Sequence, residues 1–194
     1  ILHPGGGSAL MGAGFCRPTS MRGLPFLLII GLMSILCSRA AEISLPSSMP
    51  GHPRLLASEG QFAELRGQIK TDSVSARIYT DLLRRADGML AQPPVTYQKE
   101  GRRLLAVSRE ALARISTLAM VYRLTDDPRY ADHAMAELRA VAAFKDWNPS
   151  HYLDTAEMTL AVAIGYDWLY DRLGPDDREA CARVIVDLGL PDMA

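Results

Sequence analysis

The chain has 194 residues, 48% hydrophobic and 22% charged, with a formal net charge of -1. That is ordinary globular composition, and the balanced charge gives no case for a nucleic-acid partner, which would favour a basic face. Of three cysteines, Cys16 and Cys37 fall in an expected leader. A mature chain would then keep Cys181 alone, which excludes an internal disulfide and a cysteine-built zinc site.

Residues 1–20 carry Pro4, Gly5-Gly6-Gly7 and Pro18 and match no packed element. They read as upstream translated sequence or a segment without fixed structure. Residues 21–40 have the layout of a secretory signal peptide: Met21-Arg22, an apolar run from Leu24 to Leu36, then Ser38-Arg39-Ala40 before a cut at Ala41. The apolar run is about 13 residues, short of the ~20 that span a bilayer. The mature protein is therefore expected to be exported, periplasmic or extracellular, with no stable membrane span. Residues 41–54 form a strap rich in proline: Pro46, Pro50 and Pro53.

From residue 55 to residue 194 the pattern is helical, with no convincing strand. Ser58 is placed to cap a first helix carrying Phe62, Leu65 and Ile69. A second runs from about Ser73 to Leu90, with Ile78, Leu82, Leu83 and Ala86 at helical spacing. Pro93-Pro94 and Gly101 mark a loop over 92–103. A third helix begins near Ser108. Asp126-Asp127-Pro128 stops it and starts a fourth, to about Ala143. Both are amphipathic. A fifth begins at Asp154, with Asp154 and Glu157 as a capping-box-like pair, and Met158–Tyr166 so apolar that burial on nearly all sides is expected. Leu173-Gly174-Pro175 opens a sixth, to Leu188. Short loops between neighbours imply antiparallel helical hairpins. The expectation is an all-α fold of about six helices, in a partial (α/α) toroid or a solenoid.

Between the fourth and fifth helices lies Asp146-Trp147-Asn148-Pro149-Ser150-His151-Tyr152-Leu153, a loop of groups that stack or hydrogen-bond. Trp147 and Tyr152 are candidates for stacking on a sugar, and Asn148 and His151 for contacting a carboxylate or hydroxyl. The alternatives are that Trp147 plugs the loop between helices and that Asn148 and His151 satisfy loop backbone groups. Lys99, Arg102 and Arg103 are a polyanion-attracting cluster or a solvated charge run. Tyr97 is a candidate cleft residue. His133 reads as a helix-surface residue, Tyr166, Trp168 and Tyr170 as core, and Asp167 and Asp171 as solvated or paired. No metal or cofactor constellation is present.

Three segments, in order and spacing, resemble the N-terminal helical domain of the heparinase II/III-like polysaccharide lyases. They are His52-Pro53-Arg54-Leu55-Leu56, Asp146 to Met158, and Ala163-Ile164-Gly165-Tyr166-Asp167-Trp168-Leu169-Tyr170. The resemblance covers about His52 to Pro191. It implies an incomplete (α/α) toroid followed by β-sandwich layers, and β-elimination on uronate-containing acidic polysaccharides such as heparin or alginate. In that chemistry a Tyr and a His act as base and acid while an Asn, His or Glu neutralises the uronate carboxylate. The family's catalytic segment lies on later helices, so no catalytic role is carried onto this chain. The expectation is an N-terminal lyase fragment, inactive alone, that contributes Trp147, Asn148, His151 and Tyr152 to the cleft. The alternative is a tetratricopeptide-like binding module, suggested by the hairpin from Ala113 to Ala143. The long aromatic loop that follows breaks the repeat near 34 residues such an array needs.

Overall fold

The computed structural model describes residues 48–190. The expected signal peptide, the segment before it and the first part of the strap lie outside those residues. Six α-helices follow one another: α1 Glu59–Thr71, α2 Ser73–Leu90, α3 Leu105–Thr125, α4 Pro128–Ala142, α5 Tyr152–Trp168 and α6 Pro175–Val184. A π-helical turn, Ile185–Gly189, extends α6. Among the described residues there is no β-strand, and no helix is long and apolar enough to cross a membrane.

Local chemistry sets most boundaries. Ser58 and Gln61 form a reciprocal capping box at the start of α1. Asp72 alone separates α1 from α2, and its carboxylate accepts from the Ser75 N–H at 2.7 Å. Asp126 ends α3 in the left-handed region (φ 58°), and Asp127 caps α4 ahead of Pro128. Such tight turns fold consecutive helices against each other, so α1 packs on α2, α3 on α4 and α5 on α6.

The expected assignment of α3 as a half-exposed outer helix and α5 as a fully buried inner one is not what the packing shows. α3 is central and touches α1, α2, α4 and α5. It buries Ala111, Ile115, Leu118, Ala119 and Val121. α5 buries Met158, Ala161, Val162 and Ile164 against it, yet Tyr152 and Leu160 stay 66% and 46% exposed. That side of α5 is only flanked, by Leu55 and by the end of the π-helical turn. At Gly165, α5 closely approaches both α3 and α4. A Cβ there would sit 2.8 Å from both Ile115 Cγ2 and Leu138 Cδ2, so glycine permits the approach.

Candidate functional site

The loop between α4 and α5 is built around one aspartate. Asp146 Oδ1 accepts from the Asn148 N–H at 2.9 Å and from the Tyr97 hydroxyl at 2.9 Å. This turn holds Asn148 at φ 58°, which asparagine tolerates better than most residues. Asn148 is buried, and both its amide hydrogens are used: Nδ2 donates to Arg102 O at 3.0 Å and to Asp154 Oδ2 at 2.6 Å. Its Oδ1 accepts from Lys99 Nζ at 2.7 Å and from Ser150 Oγ at 3.2 Å.

Asp154 is fully buried and gathers the network. It accepts from Asn148, from the Leu104 N–H at 2.7 Å and from His151 Nδ1 at 2.9 Å. Burial alone would raise its pKa. The bonds from Asn148, Leu104 and His151 outweigh that and hold the carboxyl below its ordinary value. As the carboxylate only accepts, His151 Nδ1 carries the proton. Asp154 was expected to cap its own helix with Glu157, but α5 starts two residues earlier, at Tyr152, and no such box forms. The backbone at Leu104, which has no side-chain cap of its own, takes the Asp154 carboxylate from across the fold. Glu157 instead accepts from Ser108 Oγ at 2.9 Å and Arg109 Nε at 3.2 Å, a second tie between α5 and α3.

The four candidate residues divide. Asn148 and His151 are brought together at Asp154. Trp147 is fully buried, with Nε1 donating to Val141 O at 3.1 Å and its own carbonyl accepting from Thr155 Oγ1 at 2.9 Å. It is the loop plug, and its ring offers no face for a sugar to stack on. Tyr152 is exposed on a different side, along an apolar groove of about 440 Å³ also lined by Leu55, Pro149, Leu160 and Leu190. A smaller, polar pocket of about 220 Å³ is lined by Arg102, Arg103, Ser150 and His151. The basic loop therefore belongs to the same site as His151. Its turn needs Gly101 at φ 61°, and Glu100 and Arg103 close it with two backbone bonds of 2.9 and 3.1 Å. Tyr97 stands beside this site on Asp146, its ring edge-on to Phe144 at 5.5 Å and 5.0 Å from the Lys145 ammonium.

The burial of two further carboxylates escaped the sequence reading. Asp167, expected to be solvated or paired, is paired, with His52, and it is buried rather than solvated. It accepts from the Arg54 and Leu55 N–H groups at 2.7 Å each and from His52 Nδ1 at 2.5 Å. His52 stacks on Tyr170 at 3.9 Å and meets Tyr166 edge-on at 5.7 Å, while Trp168 Nε1 donates to Leu55 O at 2.9 Å. Tyr166 and Tyr170 thus enclose the strap, and Tyr166 also packs on the core. Glu137 is fully buried on α4 and takes Arg114 Nη1 and the Val95 N–H, each at 2.9 Å. His133 lies 3.8 Å from it and is mostly enclosed, so it is no surface residue. The available signal was an acid inside an apolar stretch, as in Ile164-Gly165-Tyr166-Asp167-Trp168.

Among the described residues no three His, Cys, Asp or Glu side chains cluster as a metal site. Burial, chiefly, raises the Cys181 thiol to about 11, so it is protonated and inert at neutral pH. No protein-family model matches the sequence, and a search of curated proteins finds no match to it.

Proposed function

We propose that the protein is the N-terminal helical domain of an exported polysaccharide lyase that acts on uronate-containing acidic polysaccharides by β-elimination. The loops 97–103 and 146–151 form one wall of its saccharide cleft, and the helical pairs are the beginning of a partial (α/α) toroid. The observation that carries this reading is the Asp154 network. It fixes the basic loop and the Asn148–His151 segment in one rigid unit through Leu104, Arg102 and Lys99. A cleft for a polyanion needs such a preorganised, cationic wall.

His151 is the imidazole that this wall presents, and Asn148 is its support. No residue of this chain is assigned as catalytic base or acid. The family resemblance supplies the reaction class, and the leader-like sequence supplies the export.

The test is to incubate the natural full-length protein with alginate, heparin and related uronate polymers and follow the ultraviolet absorbance of unsaturated uronates. A rise with at least one polymer is expected. No rise with any of them overturns the lyase assignment.

A further inference from the structure

We infer that Arg102, Arg103, Ser150 and His151 form a subsite for one oxyanion of a saccharide, either a uronate carboxylate or a sulfate ester. The pocket of about 220 Å³ is lined by these four residues and by no apolar side chain. Among the described residues, neither guanidinium has a carboxylate or carbonyl partner, whereas Arg109, Arg114, Arg129 and Arg139 each meet an acid. Arg77 and Arg85 are also unpaired, but they lie on α2. Both are exposed to solvent, with donor forks free for a ligand, and guanidinium geometry matches an oxyanion.

The nearby acids do not fill this role. Asp154 is buried and already accepts from three donors. Asp146 is held by the Asn148 N–H and the Tyr97 hydroxyl. Glu100 is on the same turn as the arginines but lines no wall of the pocket. His151 has Nδ1 committed to Asp154, which leaves Nε2 for a ligand. Ser150 donates its hydroxyl hydrogen to Asn148 Oδ1 at 3.2 Å. Its free lone pairs can then accept from a hydroxyl, which a sugar has and a bare anion lacks.

The saccharide part of this inference rests on the proposed lyase reading, and the anion part does not. The experiment is a nuclear magnetic resonance titration of the chain with sodium sulfate, glucuronate and glucose. It is paired with calorimetric titration of uronate and sulfated oligosaccharides into the wild type and an Arg102→Ala/Arg103→Ala double variant. Sulfate and glucuronate are expected to shift resonances of residues 102–103 and 150–151, and glucose to leave them in place. The double variant should bind the preferred oligosaccharide at least about tenfold more weakly with an unchanged melting temperature. The carboxylated and sulfated arms tell which oxyanion the subsite takes.

Failure to shift those resonances with either anion overturns the subsite, as does wild-type oligosaccharide affinity in the double variant. Binding of sulfate there with no binding of any oligosaccharide overturns the saccharide assignment. Lyase activity that persists at wild-type KM when the same double substitution is made in the natural full-length protein would leave the proposed function standing and remove the subsite alone.

Discussion

Asp154 and Asp167 sit near opposite ends of α5 and use the same device. Each is a buried carboxylate that accepts from the backbone of a distant segment, one N–H for Asp154 and two for Asp167, and from the Nδ1 of a histidine. Their surroundings differ. His52 is stacked and edged by Tyr170 and Tyr166, and its side chain is 12% exposed. His151 is 28% exposed, and beside it are two arginines with no acid partner among the described residues. The first arrangement closes a strap onto the core. The second leaves a ring nitrogen open to a cationic pocket. A buried Asp–His pair therefore does not mark a site by itself; what the imidazole faces on its other side decides its use.

The difference can be pressed by substitution, and the largest effect is expected at Asp154. Asp154→Ala leaves the buried Leu104 N–H and one of the two Asn148 amide hydrogens without an acceptor. Loss of about 3–5 kcal/mol in urea unfolding is expected, as for breaking other buried charged networks. Asp167→Ala should lose less, about 2–3 kcal/mol, because the released strap can turn its Arg54 and Leu55 amides toward water. Hydrogen exchange should then speed up at residues 52–56 and stay slow at Leu104. If the two variants lose equal stability, the distinction between a sealed clasp and an interior support fails.

Gly165→Ala probes the helix that carries both acids. The added methyl meets Ile115 and Leu138 at 2.8 Å, and about 1–3 kcal/mol of overpacking is expected. Both nodes should loosen together, seen as faster exchange at Leu104 and at Leu55. Acid should also act on the Asp154 side. The folded-state pKa of that carboxyl is lowered, so its stabilisation is full above the unfolded value and is lost as pH falls through the folded one. The melting temperature of the wild type should drop between about pH 5 and pH 3, and less so in Asp154→Ala. Equal drops in both proteins would remove Asp154 as a source of acid sensitivity. Smallest of all, the Arg102→Ala/Arg103→Ala variant should change stability by less than about 0.5 kcal/mol, since neither guanidinium supports the fold.

Much of the helical order was legible from residues whose chemistry is local. Ser58 and Asp127 cap where their spacing says they should, because a cap needs no knowledge of the rest of the chain. Asp154 misled for the same reason. A local acid four residues before Met158 looks like a cap, and its true partner, the Leu104 N–H, is 50 residues away. Trp147 was equally ambiguous. Its loop is irregular, but the ring turns inward and its Nε1 finds Val141 O. The pairing of Arg102 and Arg103 with His151 required the same tertiary knowledge, since the Asn148 bridge that joins their loops spans 46 residues to the Arg102 carbonyl. The exposed side of α5 was not visible at all, because an apolar run states what prefers burial and not what lies beside it.

The most direct test of a saccharide wall beside Asp154 is to map where a uronate oligosaccharide binds by nuclear magnetic resonance. Shifts confined to residues 97–103 and 146–151 are predicted. Shifts centred on His52 and Tyr170, or none at saturating oligosaccharide, would contradict it.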